Sequence, residues 1–103
     1  MTDSYPYILT TVRFYKTEEG GRKGATPPTN FRCLFQYGGR EFDCLLDLKE
    51  TGSFSPGQEG VIPIQFLCPD LLVDSLAVGS KFHLREIRVV GEGVVKEIHL
   101  TSK

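Results

Sequence analysis

An all-β fold, built as a closed or nearly closed antiparallel barrel of six strands, is what this sequence predicts. Three observations lead there. Apolar and polar residues alternate with period two in several short runs, turn-forming residues interrupt those runs at short intervals, and no stretch shows strong helical amphipathicity. The chain has 103 residues, 40% of them hydrophobic and 24% charged. One domain over residues 1–103 is therefore expected. At this size it buries roughly 60–70% of its unfolded surface, enough for a core without staples.

The elements follow in order. Ile8, Thr10, Val12 and Phe14 alternate with Leu9, Thr11, Arg13 and Tyr15, which makes a first strand. Thr17 to Asn30 reads as a long loop, because Gly20-Gly21, Gly24 and Pro27-Pro28 suit neither helix nor ladder. Gly38-Gly39 then marks a two-residue hairpin turn, which needs the positive φ that glycine supplies without steric cost. Counting outward pairs Tyr37 with Arg40, Phe35 with Phe42, and Cys33 with Cys44. Phe31, Cys33, Phe35 and Tyr37 share a core face with Phe42, Cys44 and Leu46. The cross-strand phenylalanine pair contributes up to about 1 kcal/mol beyond an alanine pair. In this register the two cysteines meet at a hydrogen-bonded pair, where side chains stand farther apart than at the alternate pairs. A disulfide is awkward there, and two adjacent buried thiols are expected in preference to a redox switch.

Lys49 to Gly60 is rich in turn residues. Val61 to Cys68 is the next strand, with Ile62, Ile64 and Phe66 alternating against Pro63, Gln65 and Leu67. Pro63 has no amide hydrogen and should face an unpaired edge or a bulge. Pro69 to Ser80 carries Leu71, Leu72, Val73, Leu76 and Val78 without strand alternation, and is too short for a firm helix. Phe82–Ile87 and Val94–Leu100 are expected to close the chain as an antiparallel pair turning around Gly91 and Gly93.

Charge and motifs exclude several functions. Twelve basic residues are offset by 13 acidic ones, for a net charge of −1, which argues against a protein that coats nucleic acid. Cys33, Cys44 and Cys68 are odd in number and have no His or Cys at ligand spacing; reduced core thiols and no metal are expected. Met1–Pro6 lacks the basic and apolar regions of a leader, and no apolar run approaches about 18 residues. The expectation is a cytoplasmic chain with no membrane partner. No Gly-x-x-x-x-Gly-Lys-Ser/Thr loop is present, so no nucleotide is expected. His83 and His99 lie on strand-like runs with no nucleophile elbow beside them. Asp43 and Asp47 sit opposite the Phe42 and Cys44 face, as on a solvated barrel exterior. Neither catalytic residues nor cofactors are expected.

Three separated motifs carry a family resemblance. They are Glu18-Glu19-Gly20-Gly21-Arg22, then Pro56-Gly57-Gln58-Glu59 with the strand that ends at Cys68-Pro69, then Phe82-His83-Leu84-Arg85-Glu86 with Gly91-Glu92-Gly93-Val94-Val95. In this order they resemble the third, C-terminal barrel domain of elongation factor Tu, over about residues 8–100. The resemblance implies a Greek-key-type barrel standing without its GTPase domain. In that family the domain has no active site, packs against the GTPase domain and touches the T stem of tRNA. This chain departs from the pattern in three places. Cys68 replaces a histidine. Pro28-Thr29-Asn30 stands where the family has Tyr-Arg-Pro-Gln. Arg85 to Gly91 is one residue shorter than the family's Arg-Glu-Gly-Gly-Arg-Thr-Val-Gly and has Ile87 in place of a glycine.

Two surfaces are candidate sites. The first is the apolar Leu71–Val78 segment, with Leu71, Leu72, Val73 and Leu76 as its docking residues: exposed, it docks a protein; folded under, it plugs a barrel end. The second is basic, comprising Arg13, Arg22, Lys23, Arg85 and Arg88, with Lys16 and Arg32 as extensions. Brought together, these would position an RNA backbone, although Glu18, Glu19 and Glu86 interleave with them. The expected function is a non-catalytic module that docks a protein partner, translation-related or as a decoy. RNA binding to a tRNA-like stem is the alternative.

Overall fold

Alternation governs the folded chain from its first strand. β1 (Tyr7–Phe14) buries Ile8, Thr10, Val12 and Phe14 and leaves the residues between them half-buried. The computed structural model describes residues 6–72 and 74–100. Among them, β1 is followed by β2 (Asn30–Tyr37), β3 (Arg40–Asp47), β4 (Glu59–Phe66), β5 (Lys81–Arg85) and β6 (Val89–His99). All neighbours are antiparallel, and the sheet closes in the order β1-β4-β3-β2-β5-β6. β2, β3 and β4 form a meander, and β1 lies beside β4, which is a Greek key within a closed six-stranded barrel.

The β2–β3 hairpin has the register counted from its turn. Gly38 and Gly39 take φ values of 62° and 77°, and Tyr37 pairs with Arg40, Phe35 with Phe42, and Cys33 with Cys44. Pro63 pairs with Leu9 on one side, while on the other the β3–β4 ladder stops at Ile64. The missing amide thus sits beside an unpaired stretch, as a strand proline requires.

The last hairpin differs from the expectation. Its turn lies at Glu86–Arg88, and Gly91 and Gly93 are buried inside β6. Neither has a positive φ; these glycines supply room, not a turn. A Cβ on Gly93 would lie 2.6 Å from the Thr11 carbonyl oxygen and would strike the Phe82 ring. Phe82 stacks on Phe35 at 4.4 Å between centroids, and Phe35 meets Phe66 edge-on at 4.9 Å. β6 is further bent at two irregularities, where its register shifts against β1 between Leu9 and Thr10 and against β5 between Leu84 and Arg85. Such extra residues increase local twist and help a sheet curl on itself.

Both barrel ends are stopped with side chains. At the end where β4 finishes and β5 starts, Leu72 and Leu76 belong to the buried core. At the other end Phe54 packs against Phe14. The Phe54 amide donates to Thr26 Oγ1 at 3.0 Å, and the Thr26 amide donates to the Phe54 carbonyl at 2.9 Å. Inside, the Thr10 hydroxyl donates to the Ile62 carbonyl at 2.8 Å, so this buried polar group is satisfied.

Gly93→Ala tests the role of Phe82. The added methyl overpacks a filled interior and should cost about 1–3 kcal/mol, read as a lower urea midpoint. An unchanged midpoint would show that the core has slack at this position.

Candidate functional site

The β4–β5 connection shows how an apolar segment divides between core and surface. Pro69–Leu71 forms one 3-10 turn, and the backbone amides of Leu72, Ser75 and Leu76 donate to carbonyls three or four residues back. Tyr37 ties the segment to β2 by donating its hydroxyl to the Ser75 carbonyl at 2.6 Å. This winding points Leu72 and Leu76 into the barrel end, at 0% and 7% exposure. They are therefore corrected from docking candidates to core residues. Leu71 is 55% exposed. Val73 lies outside the described residues.

Val78, within the segment read as a docking candidate, is 67% exposed, and Leu67 just before it, which was not singled out from sequence, is 69% exposed. The signal for Leu67 was available, because Ile62, Ile64 and Phe66 face inward and period two then sends Leu67 outward. A third residue was read from sequence only as the replacement of a glycine. Ile87 stands at the tip of the β5–β6 turn with 94% exposure.

The basic candidates do not form one patch. Arg22, Lys23 and Arg88 line a cleft of about 290 Å³ with Gly21, Glu86 and Ile87. Arg85 lies in an adjacent cleft with Arg32. Arg13 faces a separate groove with Glu59 and Glu92. Three of the five also have partners within the chain. Arg13 reaches Glu19 at 3.3 Å and Glu92 at 3.8 Å. Arg22 bonds Glu86 at 2.6 Å, donates to the Gly24 and Ala25 carbonyls at 3.2 Å, and lies 4.9 Å over the Phe31 ring. Arg85 holds Glu41 through two nitrogens, at 2.5 Å and 3.0 Å, and donates to the Glu86 and Ile87 carbonyls at 3.2 Å. Among the described residues, Lys23 and Arg88 make no ion pair within 4.0 Å.

The Arg85–Glu41 pair has a structural role. β5 pairs with β2 only over Leu34–Gln36, and the ion pair crosses the outer face of β2 from β5 to β3. Gln36 adds a hydrogen bond to Glu41 at 2.6 Å. The hydrogen bonds from Arg85 and then Gln36 pull the Glu41 carboxyl down to about 2.

His83 is exposed, and His99 stacks on Tyr7 at 4.7 Å and meets Glu97 at 2.9 Å. Among the described residues no three His, Cys, Asp or Glu side chains converge as a metal site would need, and no helix is long and apolar enough to cross a membrane. Asp43 is exposed on the outer face, and Asp47 accepts from the Lys49 amide at 3.1 Å. Cys68, read from sequence as a core thiol, is exposed, because the chain leaves β4 at Phe66.

The chain matches no protein-family model and no curated protein.

Glu41→Gln tests the clamp. A lowered carboxyl value means stabilisation that is complete above the unfolded carboxyl range, near about 4.3, and lost as pH falls toward about 2. The wild type should therefore melt above the variant at neutral pH, with the gap closing between about pH 5 and pH 2. A gap that stays constant across this window would assign it to packing.

Proposed function

We propose that this chain is a non-catalytic binding module that docks a protein partner through the β4–β5 connection. The observation that carries this reading is the mounting of Leu67 and Leu71. Each is more than half exposed, while Leu72 and Leu76 beside them are locked into the barrel end. Apolar side chains held on an anchored segment lose little freedom on binding, which favours association. The motif resemblance to the third domain of elongation factor Tu supports a translation-related partner, or a decoy for a protein that docks on that domain; this step rests on fold analogy.

The alternative, binding to the backbone of a tRNA-like stem, is favoured by one observation. Lys23 and Arg88 share a cleft and make no ion pair among the described residues. Against it stand the internal partners of Arg13, Arg22 and Arg85, which such binding would have to displace.

Affinity capture with tagged wild type, Leu67→Ser/Leu71→Ser and Lys23→Ala/Arg88→Ala separates the two. Docking predicts a protein partner that survives high salt and is lost with the leucine variant. The stability of that variant should stay within about 0.5 kcal/mol of wild type, as for other surface substitutions. Bound RNA that elutes as salt rises and is lost with the Lys23/Arg88 variant would replace the docking reading.

A further inference from the structure

The sheet is incomplete where β5 leaves β2. Their ladder covers Leu34–Gln36, and the chain then turns away at Glu86–Arg88, so Asn30–Cys33 of β2 have no β5 neighbour. Cys33 is the first residue beyond that ladder. An open cleft of about 460 Å³ lies at the gap, and its walls include both Cys33 and Cys44 together with Arg32, Asp43, Arg85 and Ile87. Cys33 is half-buried, Cys44 is buried behind it, and both thiols are free. Their sulfurs lie 3.7 Å apart.

Two features make this pair more than adjacent core thiols. A hydrogen-bonded antiparallel pair sets Cα atoms about 5.5 Å apart, inside the range a disulfide spans. Closing the sulfurs to a bond of about 2.05 Å then needs side-chain rotation without sliding the strands. The unequal access also assigns roles. Cys33 is half-buried, whereas Cys44 is buried and contact with Cys33 and then burial hold its thiol well above its ordinary value, so Cys33 is the attacking sulfur and Cys44 the resolving one.

We propose that Cys33 and Cys44 form a thiol-exchange site for a low-molecular-weight, carboxylate-bearing disulfide, with oxidised glutathione as the representative ligand. Arg32, exposed and without an ion pair among the described residues, supplies a cation at the cleft for a ligand carboxylate. In the first step the Cys33 thiolate attacks one sulfur of the ligand. The ligand S–S bond breaks, and one thiolate leaves with the electron pair and takes up a proton. In the second step Cys44 attacks Cys33 Sγ and expels the second ligand thiolate, which takes up the proton that Cys44 gives up. Two protein thiols are thus oxidised with loss of two protons and two electrons, and one ligand disulfide is reduced to two thiols. The product spans a hydrogen-bonded pair, which does not favour disulfide geometry, and strained bonds of this kind are readily reduced. The site is reversible and does not act as a permanent staple.

The test treats fully reduced protein with a graded excess of oxidised glutathione and follows intact mass and peptide maps, with exposed Cys68 as the reference thiol in the same sample. Wild type should lose two hydrogen atoms through a Cys33–Cys44 bond that dithiothreitol reverses. Cys44→Ser should stop as a stable glutathione adduct on Cys33, and Cys33→Ser should leave Cys44 unmodified. The proposal is overturned if Cys68 is modified while Cys33 stays free in both wild type and Cys44→Ser. It is equally overturned if the wild-type Cys33 adduct accumulates and never passes to Cys44.

Discussion

The space that Gly93 leaves for Phe82 is the constraint on which the remaining architecture depends. A six-stranded barrel has a narrow interior, and its inward-facing side chains must fill that interior without colliding. Here Phe82 lies over a strand position that carries no side chain and stacks on Phe35 of the neighbouring strand β2. β5 is only five residues long and joins β2 through three residue pairs. A five-pair ladder holds it to β6, and on the β2 side the buried ring and the Arg85–Glu41 pair across the outer face add to the short ladder. Buried aromatic area is a large term per residue, while an exposed ion pair contributes modestly. The ring is the stronger of the two.

A filled, closed interior moves function to the surface. The Phe35, Phe66 and Phe82 rings pack together in the interior, and Leu72 and Leu76 stop one end. The cleft of Arg22, Lys23 and Arg88 and the cleft at Cys33 lie where connections meet strands. The β4–β5 connection projects Leu67 and Leu71, the β5–β6 turn projects Ile87, and the short β2–β5 seam leads to Cys33. The proposed docking and the proposed thiol exchange both follow from where the sheet stops.

Residues whose role is set by neighbours in sequence were legible from sequence. Gly38-Gly39 has one common use between two alternating runs, so the hairpin register could be counted pair by pair, and it agrees with the structure. Period two likewise placed the inner faces of β1 and β4. Roles set by distant residues were not legible. Gly91 and Gly93 looked like a turn because sequence does not distinguish a glycine needed for positive φ from one needed for room. The partners that decide, Phe82, Thr11 and Arg13, lie on other strands. Leu71 and Leu72 are adjacent and identical in type, yet one is exposed and the other is core, because the 3-10 turn Pro69–Leu71 ends between them. The arginines looked like one basic field because Glu41, Glu86 and Glu92 reach them only in the folded chain.

Closure at the β2–β5 seam is the central claim, and native-state hydrogen exchange tests it most directly. The account predicts that ladder amides over Leu34–Gln36 and His83–Arg85 exchange as slowly as those of the β1–β6 ladder, through the same global opening. Exchange along β2 and β5 much faster than along β1 and β6 would mean an open sheet with a frayed edge strand. That result would contradict the closed barrel and remove the basis for Phe82 as its organising residue.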